Sequence, residues 1–198
     1  MISAIVLAAG ASSRMGQAKA ALPIGRTGET VVGRVVTTLL AGGILEVTVV
    51  AGAHIDAVRH AMPPHEPRAR VIEHPGWEQG QLSSLIAGLN AIDDQLVEAV
   101  MVTLVDVPMV TPATVAAVIS AWRSSRAPIV RPANGDRHGH PVIFDASVFD
   151  DLRNADPNAG AKAVFTAHRA RIVNVEVEDP GAFEDIDTPG DYQRLIGR

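Results

Sequence analysis

Leu7-Ala8-Ala9-Gly10-Ala11-Ser12-Ser13-Arg14-Met15-Gly16-Gln17-Ala18-Lys19 follows directly on a strand-length apolar run, residues 3–7. A strand that runs out into a loop of small residues is how an open α/β sheet brings its backbone close to a ligand. The N–H groups of such a loop can converge on phosphate oxygens, and Arg14 and Lys19 would neutralise charge that otherwise repels an anionic nucleophile. An ordinary strand-to-helix turn with two solvated basic side chains is the competing reading. No Gly-Lys-Ser/Thr follows, and no Gly-x-Gly-x-x-Gly is present, so neither a P-loop nor a dinucleotide fingerprint is expected.

Outward from that stretch, short apolar runs alternate with longer segments of helical period, the pattern of a largely parallel sheet with helices on both faces. Strands are expected at 3–7, 46–51, 69–73, 99–104, 128–131, 141–144 and 172–177. Helices are expected at 30–41, 55–61, 82–92, 111–124, 147–153, 159–168 and 189–196. The proline-rich residues 62–68 suit a surface connection, and Asn134-Gly135 is a turn signal for a projecting hairpin. The 198 residues, 47% hydrophobic, suffice for one domain spanning 1–198.

With 17 Lys+Arg against 22 Asp+Glu the chain carries a formal charge of −5, which offers no footprint for a nucleic-acid backbone or an anionic membrane. The absence of cysteine removes disulfides, thiolate metal sites and cysteine nucleophiles. No apolar run approaches the ~18 residues of a membrane span, and a cytoplasmic address is the expectation.

Three further segments carry candidate chemistry. Leu104-Val105-Asp106-Val107-Pro108 ends an apolar strand on a carboxylate, a hard ligand suited to Mg²⁺ bridging to nucleotide phosphates. Asp106 could instead cap a turn, although Thr111 before Pro112 already supplies a helix cap. Asp185-Ile186-Asp187-Thr188-Pro189 leads into the last helix, and one of its aspartates could complete a two-carboxylate site with Asp106; negative charge at a helix start, with a Thr188 cap, explains the same residues. Gly80-Gln81-Leu82-Ser83-Ser84 opens a helix with hydroxyls that could read a base edge or hold phosphate, with Ser83 as a plain helix cap the alternative. His138-Gly139-His140 brings two imidazoles together, too few for zinc without a third ligand.

In their order along the chain these segments resemble the nucleotidyltransferase family that includes molybdenum cofactor cytidylyltransferase. Leu7 through Lys19 matches the family's opening signature at every fixed position, and Asp106-Val107-Pro108, Gly80–Leu85, Gly139-His140-Pro141 and Asp187-Thr188-Pro189 match its later motifs. Val107, Gln81 and His74 depart from the usual residues. The resemblance implies a Rossmann-like three-layer α/β sandwich of the nucleotide-diphospho-sugar transferase type, with a mostly parallel mixed sheet.

It further implies transfer of CMP from CTP to a phosphorylated acceptor of the molybdopterin type, with pyrophosphate released. Ala9, where guanylyl-transferring relatives carry glycine, favours CTP over GTP. Leu7, Ala8, Ala9, Gly10, Ser12, Ser13, Ser83 and Ser84 would hold the nucleotide. Arg14 and Lys19 would stabilise the triphosphate, Asp106 and Asp187 would hold Mg²⁺, and His140 would line the acceptor side. A molybdoenzyme is a further possible partner. A second acceptor class, or a cofactor carrier without turnover, would use the same nucleotide half.

Overall fold

The computed structural model describes residues 1–25, 28–92 and 96–196. Ile2–Ala8 (β1) is buried along its length, and the two-residue period of a strand divides it between two cores. Ile5 and Leu7 join one cluster, while Ile2, Ala4, Val6 and Ala8 join the other. Such a strand must have helices on both faces.

The remaining strands are Glu46–Ala51 (β2), Ala69–Glu73 (β3), Ala99–Leu104 (β4), Ile129–Asn134 (β5), Arg137–His138 (β6), Val142–Asp145 (β7) and Ile172–Glu176 (β8). They form one sheet in the order β3-β2-β1-β4-β7-β5, with β6 and β8 both paired to β5. Strands β1 to β4 are mutually parallel, β7 is antiparallel to both β4 and β5, and β8 is parallel to β5. The register sets Ala8 beside Ala51 and Leu7 beside Leu104, so the segments leaving β1, β2 and β4 emerge along one edge.

In chain order the helices are Val31–Ala41 (α1), Ile55–Ala61 (α2), Gln81–Asn90 (α3), Pro112–Ser125 (α4), Phe149–Arg153 (α5), Lys162–Ala167 (α6) and Pro189–Ile196 (α7). Helices α1, α2 and α4 bury Val32, Val36, Leu39, Val58, Val115 and Val118 on one face of the sheet. Helices α3, α5 and α6 bury Leu85, Leu89, Phe149, Leu152 and Val164 on the other. The result is the three-layer, mostly parallel α/β sandwich that the sequence implies. Thr30 and Thr111 cap α1 and α4 by accepting from Gly33 N (3.0 Å) and Thr114 N (3.3 Å), with Pro112 in the first turn of α4. Among the described residues no helix is long and apolar enough to cross a membrane.

The differences from the sequence expectations are local. Strand β5 continues to Asn134 because Asn134 pairs with Arg137 and Ala133 with His138. The turn at Gly135-Asp136 therefore joins β5 to the two-residue β6, while the strand expected at 141–144 is the separate β7. Helix α6 is shorter than the 159–168 expected, since Ala159 and Gly160 both donate to Asp156 O and close a turn first. Ser83 is not the cap of α3: Gly80 precedes the helix with φ +99°, and the Ser83 hydroxyl donates to Gly80 O (2.7 Å).

Candidate functional site

A cleft of about 410 Å³ opens where β1 and β4 end. The loop after β1 is tied down by Ala53 N donating to Ala9 O (3.1 Å) and by a His54 Nε2 contact with Ala11 O (2.9 Å), both from the exit of β2. The loop then folds on Ser12, whose carbonyl accepts from Met15 N (2.9 Å) and Gly16 N (3.2 Å) and whose hydroxyl accepts from Lys19 N (3.3 Å). That turn separates the two cations: the Arg14 side chain is 71% exposed at the rim, whereas Lys19 is 12% exposed at the floor.

Lys19 Nζ donates to Asp187 Oδ1 (2.8 Å) and to Asp106 Oδ2 (3.2 Å), and Arg14 Nη1 donates to Asp187 Oδ2 (2.7 Å). The meeting of Asp106 with Asp187 follows from backbone: Ile186 N donates to Asp106 O (2.8 Å), and the Ile186 side chain is buried in the core. Asp191 fixes the following turn by accepting from Thr188 N (2.7 Å) and Asp187 N (3.2 Å), while Thr188 Oγ1 accepts from Asp191 N (3.2 Å). This is a reciprocal helix-start cap, so Thr188 caps α7 while Asp187 remains free to face the cleft. Asp185 stays exposed.

The hydrogen bond from Lys19, then the charges of Lys19 and Arg14, hold the Asp187 carboxyl below its ordinary value against the opposing effect of partial burial. Asp106 Oδ1 is shut away from solvent with no hydrogen-bond partner. A buried, unpaired carboxylate oxygen beside a second carboxylate fits a small divalent cation that takes its other ligands from phosphate and water. Among the described residues no three acidic or histidine side chains form a metal cluster.

Leu7, Ala8, Ala9, Gly10, Ser12, Ser13, Arg14, Lys19, Ser84, Asp106 and Asp187 all line this cleft. Ser83 does not, because its hydroxyl is committed to Gly80 O and to His74 Nε2 (3.0 Å). His140 lines a second cavity of about 730 Å³, which shares Leu7, Gly80, Gln81 and Leu104 with the first. Burial lowers the basicity of the His140 ring, opposed by a backbone hydrogen bond at Val102 and by the Asp106 charge; its Nδ1 has no partner. His138 also lines the second cavity, and among the described residues no further ligand joins this pair.

Ala20, His54, Val58, Trp77 and Glu78 also line the cleft and lie outside the sequence expectation. His54 borders the site as well as making its backbone contact, and Trp77 forms part of the wall. A side chain on Gly52 would come within 2.5 Å of the Trp77 ring, so the glycine at the exit of β2 makes room for the indole. A bare glycine after a buried strand was the available signal.

Gly139 shows why its motif begins with glycine. A Cβ there would stand 2.1 Å from Ala182 O and 2.8 Å from the Phe183 ring, while His140 N donates to that same carbonyl (2.9 Å). Gly139→Ala must push the His140 segment away from a backbone, and a loss of about 1–3 kcal/mol in urea unfolding is expected. An unchanged midpoint would contradict the contact.

The family described as MobA-like NTP transferase domain matches residues 4–172. A curated relative, nicotine blue oxidoreductase of Paenarthrobacter nicotinovorans, is 31% identical over 98% of this chain and 96% of its own. The crystal structure of Rv0371c from Mycobacterium tuberculosis superposes with a TM-score of 0.81 at 30% identity, covering 100% of this chain and 97% of that one. A manganese complex of Rv0371c is also similar, with a TM-score of 0.76 at 28% identity over 99% and 98% of the two chains. A nucleotidyl transferase from Methanothermobacter, Mth528, has a TM-score of 0.82 at 26% identity over 100% and 96%.

Proposed function

We propose, for a chain that belongs to the MobA-like NTP transferase family, that it transfers CMP from CTP to a phosphorylated small acceptor of the molybdopterin type. The observation that carries the reading is the Lys19 ammonium set between Asp106 and Asp187 on the floor of a cleft built by the small-residue loop. In that chemistry an acceptor phosphate oxygen attacks the α-phosphorus of CTP and forms a new P–O bond. The bond from the α-phosphorus to the bridging oxygen breaks, and its electron pair leaves with pyrophosphate. Most of the acceleration comes from alignment and charge neutralisation.

Residues of the loop, Leu7 to Gly10 with Ser12 and Ser13, border the volume for the nucleotide, and Ser84 closes it from α3. Arg14 and Lys19 supply positive charge for the triphosphate and for the negative charge that grows on the leaving pyrophosphate. Asp106 and Asp187 would hold Mg²⁺, which when bound polarises the phosphoryl oxygens and offsets their charge. His140 faces the adjoining cavity, where the acceptor would enter. Ala9, only 4% exposed, places its methyl in the wall where guanylyl-transferring relatives carry glycine, which favours CTP over GTP.

A ligand that binds the native state raises its apparent stability by mass action, so thermal unfolding tests the nucleotide half directly. With Mg²⁺ present, CTP is expected to raise Tm more than GTP, ATP, UTP or NAD, and the shift should collapse when EDTA replaces Mg²⁺. A preference for GTP would overturn the cytidylyl assignment. A shift with NAD and none with CTP would favour the redox reading that the name of the Paenarthrobacter relative raises.

A further inference from the structure

The second cavity has a wall whose chemistry the nucleotide reaction leaves unused. Period-two alternation along β5 turns Ile129 and Arg131 to the same face, the one covered by α6. There the Arg131 guanidinium lies over the Phe165 ring, 5.5 Å from its centre, and Nε donates to Asn174 Oδ1 (3.0 Å) on the paired residue of β8. These two contacts fix the plane of the guanidinium, and among the described residues neither terminal nitrogen has a hydrogen-bond partner. Lys162 and Arg169, from the start of α6 and just beyond its end, line the same cavity.

No aspartate or glutamate is among the residues that line it, and none of the three cations makes an ion pair with a described residue. Half-burial of Arg131 without a counter-ion disfavours its charge. An anionic ligand would relieve that cost and gain charge-assisted hydrogen bonds. The floor between this wall and the shared boundary is apolar, formed by Leu82, Leu85, Val142 and Phe144, with Phe144 and Phe165 packed edge to face at 5.6 Å. Neither Asp106, Lys19 nor Arg14 reaches this cavity's lining.

We propose that Arg131, Lys162 and Arg169 form an anion clamp in the acceptor cavity, selecting a flat, ring-containing molecule with a second anionic group besides the phosphate that attacks CTP. The clamp rests on the acceptor reading above for its biological ligand. The attacking phosphate must reach the first cleft, where Arg14 and Lys19 stand. The clamp's cations therefore serve a different anionic group, with the apolar floor taking the ring.

The test uses the full chain and two intrinsically fluorescent probes, pterin-6-carboxylate and uncharged pterin. Wild type is expected to bind the carboxylate at least about tenfold more tightly than pterin, the effect of one or more charge-assisted hydrogen bonds. A variant carrying Arg131→Gln, Lys162→Gln and Arg169→Gln should lose that preference. A second variant carrying only Lys162→Gln and Arg169→Gln, both exposed and unpaired, should lose several-fold and guards against misfolding of the first. The CTP-dependent Tm shift should be the same in all three proteins. Equal binding of the two probes by wild type, or an undiminished preference in both variants, would overturn the clamp. Loss of the preference in a protein that shows no CTP shift would retain the clamp and reject the cytidylyl reading.

Discussion

Asp106→Ala is expected to cut pyrophosphate release from CTP by about 10³-fold or more in metal-replete buffer, while the protein stays folded. The loss follows from removing one of the two carboxylates that Lys19 brings together on the cleft floor, the one with a buried, unpartnered oxygen. The fold survives because the Asp106 carbonyl still accepts from Ile186 N, a bond that does not depend on the side chain, and Lys19 keeps its shorter contact with Asp187. Deleting the carboxylate removes an unsatisfied buried oxygen together with the Lys19 contact to the other oxygen, two effects of opposite sign, so the unfolding midpoint should stay close to that of wild type. Turnover retained in the variant would remove Asp106 from the reaction.

Lys19→Ala is expected to lower kcat by about 10²–10³-fold, the usual cost of removing a preorganised donor to developing negative charge. Lys19 has a second function, since its ammonium donates to both Asp106 and Asp187. Without it the two carboxylates face each other with Arg14 alone as counter-ion, and the Asp187 carboxyl loses the hydrogen bond that chiefly holds its pKa down. A depressed carboxylate pKa contributes stability above the ordinary value that is lost as pH falls through the native value. The variant should therefore show a shallower loss of stability on acidification than wild type. A variant with native kcat, or with an unchanged acid limb, would contradict the respective function.

Much of this architecture is legible in the chain because the central strands are buried on both faces. A run such as Ile2–Ala8 has no polar side to confuse its reading, and the small residues after it mark where the sheet opens to a ligand. The meeting of Asp106 with Asp187 was legible only as a possibility, because the deciding contact is a backbone bond from Ile186 to a residue far back in the sequence. Asp185 and Asp187 look alike as residues, and the buried Ile186 together with the Asp191 cap is what turns Asp187 toward Lys19. Ser83 and Ser84 are adjacent hydroxyls of the same type, yet one is consumed by His74 and Gly80 while the other borders the cleft. The two residues of β6 are too few to carry a sequence pattern, and the Arg131 wall leaves none because its partners come from β8 and α6.

The central claim is a reaction, and the most direct measurement is pyrophosphate release with CTP, Mg²⁺ and molybdenum-loaded molybdopterin, with the product identified by ³¹P resonance and mass. One pyrophosphate released per acceptor consumed, and a product joined to CMP through a new P–O–P linkage, is the predicted result. No release with CTP, GTP or any other nucleoside triphosphate, from a protein whose Tm rises with CTP, would contradict it and leave a nucleotide-binding carrier in its place.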